Sequence, residues 1–206
     1  MQIILENTGR RFNRDWIFRN ISYTFSYNTI YGITGPNGSG KSTFIQLLSG
    51  HLSPSEGKIT FSDNGKKTET GEIFRHVSLC SPGMELYEEL TLSELVSFHR
   101  SLKPLINKMS VSEFISTVQL QHVSEKPVRL FSSGMKQRVK LGLAVLSQTK
   151  ILLLDEPCSN FDATAVEWYK QLLAAHSQNR LVVIASNNYE DELTQCGELL
   201  KVENFK

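Results

Sequence analysis

The chain has 206 residues, 40% of them hydrophobic and 21% charged, with 13 glycines and 6 prolines. This is the composition of an ordinary globular protein, which excludes collagen-like, fibrous and disordered classes, and the length fits one domain with room for a second lobe. Lys and Arg total 22 against 21 Asp and Glu, a formal net charge of +1 without a sustained basic run, so direct nucleic-acid binding is not expected.

Cys80, Cys158 and Cys196 lie far apart without metal-ligand spacing, the pattern of a reducing, cytoplasmic protein rather than of a disulfide framework. The longest apolar runs, Ile151 to Leu154 and Leu181 to Ala185, fall far short of the roughly 20 residues that a spanning helix needs. The residues from Met1 to Asn7 lack the basic and apolar regions of a secretion signal.

Ile3 to Leu5, Ile17 to Phe25 and Ile30 to Ile33 are rich in Ile, Tyr and Phe and read as three strands. After the last of them comes a glycine-rich turn, and then Phe44, Leu47 and Leu48 at helical spacing predict a helix from about Ser42 to Gly50. Lys58 to Phe61 and Val77 to Leu79 read as strands, with a polar, exposed loop from Asp63 to Gly71 between them. From about residue 82 to 131 strand signals disappear, while Leu92, Leu95, Val96 and His99, then Phe114, Ile115 and Val118, keep helical periods. This predicts a helical lobe inserted into an α/β core. Beyond Ser132, helix, strand, helix and strand alternate, the pattern of a parallel sheet covered on both faces.

Gly35-Pro36-Asn37-Gly38-Ser39-Gly40-Lys41-Ser42 fits G-x-x-x-x-G-K-S/T, the phosphate-binding loop. At average residue frequencies such a pattern arises by chance in on the order of one chain in a hundred of this size. Its glycines let backbone N–H groups converge on phosphate oxygens at the start of a helix, where Thr43 continues the first turn. Lys41 is placed for the β and γ phosphates, and the Ser42 hydroxyl for Mg²⁺. Ile151 to Leu154 ends in Asp155 and Glu156, which puts two carboxylates at the ligand-binding edge of a parallel sheet. Asp155 is the candidate Mg²⁺ partner, and Glu156 the candidate general base for a water attacking the γ-phosphate. An adenine needs an aromatic face, for which Phe12 is the first candidate and Trp16 the second.

Phe131-Ser132-Ser133-Gly134-Met135-Lys136-Gln137-Arg138, with Ser132 lying 23 residues before Asp155, resembles the L-S-G-G-Q signature of ABC-type ATPases. Ser159-Asn160-Phe161-Asp162 resembles that family's D-loop, Phe12 its A-loop aromatic, Lys41 and Ser42 its Walker A pair, and Asp155 and Glu156 its Walker B pair. The resemblance covers essentially the whole chain. It implies one ABC ATPase domain over residues 1–206, a P-loop NTPase fold with a mainly parallel core sheet, an N-terminal antiparallel β subdomain and an inserted helical lobe. It also implies an ATP-binding and ATP-hydrolysing subunit that works with Mg²⁺, pairs with a second ATPase subunit as a homodimer in the ATP state, and powers a separate transmembrane permease from the cytosolic face, with exporter-type relatives favoured. In the pair, Ser132, Ser133, Gly134 and Met135 would close over the nucleotide of the facing chain, and Asp162 would lie beside it. The stretch Glu85 to Thr91 resembles the approach to the permease-binding surface.

Two positions depart from the family pattern. Ser81-Pro82-Gly83 stands where the family has its Q-loop glutamine, and Asn187 stands where it has a switch histidine. An amide at 187 can donate a hydrogen bond to a γ-phosphate but cannot carry a proton, so slow hydrolysis is expected. A soluble non-transport ABC ATPase, or a slow regulatory ATP-binding module acting on a cytosolic assembly, is the alternative reading. His51, His76, His99, His122 and His176 share no spacing and read as surface or packing residues.

Overall fold

A computed structural model describes residues 1–187 and 189–205, and within it the chain divides into two compact units. The first comprises Met1–Leu79, Thr149–Glu156 and Ser177–Lys206. It contains a four-stranded antiparallel sheet built from β1 (Gln2–Phe12), β2 (Asp15–Phe25), β4 (Glu56–Asp63) and β5 (Lys66–Thr68), in the order β2-β1-β4-β5. A five-stranded sheet has the order β6-β7-β8-β3-β9, from β3 (Thr29–Thr34), β6 (Val77–Cys80), β7 (Ile151–Asp155), β8 (Leu181–Ser186) and β9 (Glu198–Lys201). In it β3 pairs in parallel with β8 and β9, and β7 with β8.

All residues of β7 and β8 are buried, which explains why both read as unbroken apolar runs rather than as alternating strands. Helix α1 (Lys41–Leu48) buries Phe44, Ile45, Leu47 and Leu48. Phe44 meets Phe18 of β2 edge-on at 5.3 Å and Phe25 at 6.1 Å, and Phe25 in turn contacts Tyr31 of β3 at 4.9 Å. This aromatic cluster holds α1 against both sheets, and losing one such buried ring costs about 3 to 5 kcal/mol.

Several elements differ from the sequence expectation. The predicted loop from Asp63 to Gly71 contains β5, reached through a tight turn in which Asn64 (φ 49) and Gly65 (φ 78) are both left-handed, and Thr70–Arg75 forms a 3-10 helix. Asn-Gly supplies the geometry a two-residue hairpin requires, so a polar stretch pairs as strand. Strand β1 extends well beyond Ile3 to Leu5 because its polar residues pair with neighbouring strands, whereas β2 matches the expected Ile17 to Phe25 with two residues added at its start. β9 and the short α6 (Glu190–Leu193) carry no apolar period and were not predicted.

The second unit comprises Cys80–Gln148 and Pro157–His176. It holds α2 (Leu92–Leu102), α3 (Val111–Thr117), α4 (Ser133–Val145) and α5 (Ala163–His176), with short 3-10 turns between α2 and α3 and between α3 and α4. Capping boxes start α2 (Thr91 with Glu94) and α3 (Ser110 with Glu113), satisfying donors that a helix start leaves open. α4 packs closely on α3: a Cβ at Gly142 would lie 2.4 Å from Val118 Cγ1. The His99 ring shares a 2.8 Å hydrogen bond with the Ser147 hydroxyl, and burial, with Lys103 adding, pushes its imidazole down to about 4.

Candidate functional site

In the first unit, β3 runs into the glycine loop and the loop into α1. Gly35, Gly38 and Gly40 have φ of 152, 77 and 106°, and Ser39 N–H closes the loop on Pro36 O at 3.1 Å. Gly40 stands at the N-cap in a left-handed conformation without any side-chain cap, so the first N–H groups of α1 have no intrahelical acceptor and no capping side chain. They open onto a concavity of about 380 Å³ lined by Ile17, Asn37, Gly38, Gly40, Lys41, Ser42, Thr43 and Glu156. The Lys41 ammonium folds back over the loop, donating to Gly35 O at 2.9 Å and Pro36 O at 3.1 Å. Open backbone donors with an ammonium over the loop are chemistry suited to an anion.

Asp155, the last residue of β7, is 3% exposed, and its Oδ1 is buried without a hydrogen-bond partner. Burial raises its carboxyl above the ordinary range; the Ser42 hydroxyl bond opposes the rise, Glu156 adds to it, and Lys41 opposes it. A buried carboxylate oxygen with no donor beside a serine hydroxyl is a pair of hard oxygen donors, which fits Mg²⁺. Glu156 is half-buried with φ 46, and its N–H donates to Ala185 O at 2.9 Å. A left-handed non-glycine residue of this kind costs on the order of 1 to 3 kcal/mol and is the sort of strain that collects at functional sites.

Ile17, which sequence reasoning did not single out as a site residue, is part of this wall: a Cβ at Gly40 would come within 2.4 Å of its Cγ2. Nothing in an alternating strand pattern marks it. Phe12 does not line the concavity. It ends β1, is 45% exposed, and carries the Arg10 guanidinium 4.7 Å over its ring. Trp16 lies under Arg19 at 4.1 Å and Arg11 at 5.4 Å. Asn187 is exposed directly after β8. Among the described residues no group of three His, Cys, Asp or Glu side chains is placed to hold a metal by itself.

In the second unit, Ser132 caps α4: its hydroxyl accepts from Met135 N–H at 3.2 Å, with Ser133 and Gly134 forming the first turn between them. Asp162 caps α5 in the same way, accepting from Ala165 N–H at 2.8 Å. Gln137, a signature residue given no role by its sequence, is 2% exposed and donates to Pro157 O at 2.9 Å. Ser81, Pro82 and Gly83 form a tight turn closed by Met84 N–H on Ser81 O at 3.2 Å. In the stretch from Glu85 to Thr91, Glu88 pairs with Lys136, and Tyr87 is 65% exposed with its ring edge-on to Phe98 at 5.3 Å.

Among the described residues, no helix is long and apolar enough to cross a membrane. The family model described as ABC transporter matches residues 18–159. The uncharacterized ABC transporter ATP-binding protein YybJ of Bacillus subtilis (strain 168) is 32% identical over 203 residues, covering 96% of this chain and 91% of that protein. The probable sulfate/thiosulfate import ATP-binding protein CysA of Chlorella vulgaris is 28% identical, covering all of this chain and 89% of its own length. A solved ATP-binding subunit of an ABC transporter superposes with a TM-score of 0.82 at 20% identity, over 98% of this chain and 85% of that one, a likeness that bears on the fold. The glycine loop before α1 and Asp155 and Glu156 at the end of β7 fit what these matches show, and the chain is a member of the ABC transporter family, among its ATP-binding proteins.

Proposed function

We propose that this chain hydrolyses Mg-ATP as the ATPase subunit of a transporter, acting as a pair of copies that drives a separate membrane permease from the cytosolic face. The observation that carries the reading is the uncapped start of α1, with Lys41 folded over its loop and the unpartnered Asp155 Oδ1 in the same unit. The N–H groups of Gly38 to Thr43 bind phosphate oxygens, and Lys41 leaves the Gly35 and Pro36 carbonyls for the β and γ phosphates. Ser42 and Asp155 would hold Mg²⁺, which when bound offsets the charge of the phosphate oxygens. Glu156 orients and deprotonates the attacking water. Phe12 faces the adenine once Arg10 yields its ring, and Asn187 donates one hydrogen bond to the γ-phosphate.

Ser132 to Met135 of one copy, with Asp162, close the nucleotide held by the other. The start of α4 supports this, since Ser133 and Gly134 keep first-turn N–H groups beyond the one that Ser132 satisfies. Tyr87 and Phe98 supply an exposed aromatic pair for the permease. The test is light scattering on purified Glu156→Gln protein with and without Mg-ATP. The expected result is an ATP-dependent shift from monomer to dimer, with turnover lower than the parent by about 10²- to 10⁴-fold. Unshifted protein that demonstrably binds ATP overturns the paired copies, and unchanged turnover overturns the role of Glu156.

A further inference from the structure

The signature helix and the D-loop lie within one compact unit, and the contacts between them are specific. Gln137 sits one turn into α4, nearly inaccessible to solvent. Its Nε2 donates to the carbonyl of Pro157 at 2.9 Å and lies 3.9 Å from the Cys80 sulfur. Pro157 opens the segment that runs to Asp162, the cap of α5. One residue short of a turn earlier on α4, Gly134 approaches the same segment so closely that a Cβ there would stand 3.3 Å from Asn160 O. One residue later, the Arg138 guanidinium lies 4.7 Å over the Trp168 ring and 6.0 Å over that of Phe161, and it donates to Gln119 Oε1 at 3.0 Å. Of these contacts only the Gln137 bond is a buried, directional donor to the backbone of the segment from Pro157 to Asp162. An unmet buried carbonyl is costly, so this amide sets where the loop rests relative to α4.

We propose that Gln137 is a positioning residue: it locks residues 157–162 to the start of α4, so that the signature and the D-loop are presented to the second copy as one preorganised body. The inference rests on the paired-copy reading above. Gln137 is buried and bonded to Pro157, and it acts through the geometry of Pro157 to Asp162.

The test compares Gln137→Met and Gln137→Glu in the Glu156→Gln background, using the full chain. Methionine keeps the length and removes the donor. A glutamate there has no donor while it is ionised and regains one when it is protonated, a form that burial beside a carbonyl favours, so the rescue grows as the pH is lowered. Three quantities are read: binding of a fluorescent ATP analogue to the monomer, ATP-dependent dimerisation by light scattering, and hydrogen exchange of the 158–161 amides by mass spectrometry. The expected result is unchanged monomer binding, dimerisation weakened at least about tenfold, and faster exchange confined to 158–161, with part of the dimer restored for Gln137→Glu at lower pH. Unchanged exchange at 158–161, or unchanged dimerisation, overturns the proposal. A parallel loss of monomer binding and of exchange protection across the whole chain also overturns it, since that marks a residue needed only for folding. If the Glu156→Gln parent itself does not dimerise, the paired-copy reading fails, and exchange at 158–161 alone decides whether Gln137 holds the loop.

Discussion

The starts of α1 and α4 are two helix N-termini built on opposite plans. At α1 a left-handed glycine occupies the cap position and no side chain takes the first N–H groups. At α4, Ser132 sits in extended backbone and gives its hydroxyl to Met135 N–H. Leaving a cap off costs about 1 kcal/mol, and α1 offsets that by burying four apolar side chains at about 1.5 to 3 kcal/mol each. The difference is one of degree in what each terminus leaves open: α1 keeps all its first donors uncapped beside its own lysine and carboxylates, whereas at α4 one first-turn donor is taken by the serine.

The change with the largest expected effect tests the open plan directly. Gly40→Ala forces a side chain onto φ 106 and to within 2.4 Å of Ile17 Cγ2, at a cost of about 2 to 4 kcal/mol. Nucleotide affinity, measured by titration calorimetry, should fall by at least about 30-fold. Affinity within a factor of a few of the parent would show that the loop does not need this geometry. Next comes Asn187→His, which returns a protonatable group to the end of β8. Turnover should rise about tenfold, worth some 1.4 kcal/mol of barrier, and an equal or lower rate would show that the amide is not what limits hydrolysis.

The closed plan is tested by Ser132→Ala, which removes the α4 cap and should cost about 1 kcal/mol in denaturant unfolding, with no change in monomer nucleotide binding. A full loss of that binding would mean that the two starts are not independent. The smallest effect concerns pH and lies in the unit that holds α4. His99 is pushed down to about 4 by burial, whereas an unfolded imidazole titrates near 6.5. Between those values the unfolded chain binds more protons, so this stability is complete above about 6.5 and is lost as the pH falls toward 4. His99→Gln should flatten that part of the stability curve; an unaltered slope would place its origin in other groups.

Much of the local structure around the proposed site was legible residue by residue because it depends on local pattern. The spacing from Gly35 to Ser42 and the run from Ile151 to Glu156 specify strand, turn and helix in which neighbours in sequence are neighbours in space, and both are found as such. The segment from Ser132 was legible as the start of a helix for the same reason, and the structure adds that Ser132 caps it. The hairpin at Asn64 and Gly65 was present in the sequence as an Asn-Gly pair and was read as loop, since its charged flanks lack the alternation that marks a strand. Ile17 and Gln137 were not legible at all: each works through a partner 20 or more residues away, at Gly40 and at Pro157.

The sequence by itself determined the family, the glycine turn between β3 and α1, the placement of Asp155 and Glu156 after an apolar strand, and most of the strands and helices, because those are set by short-range periodicity and by residues at fixed spacing. Only the tertiary structure decided which groups would stay unsatisfied. Asp155 loses its water and keeps an unpartnered oxygen because every residue of β7 is buried, and α1 keeps open donors because the aromatic cluster beneath it supplies the stability that a cap would otherwise give. Burial and long-range packing set those free energies, and neither is a property of any segment read alone.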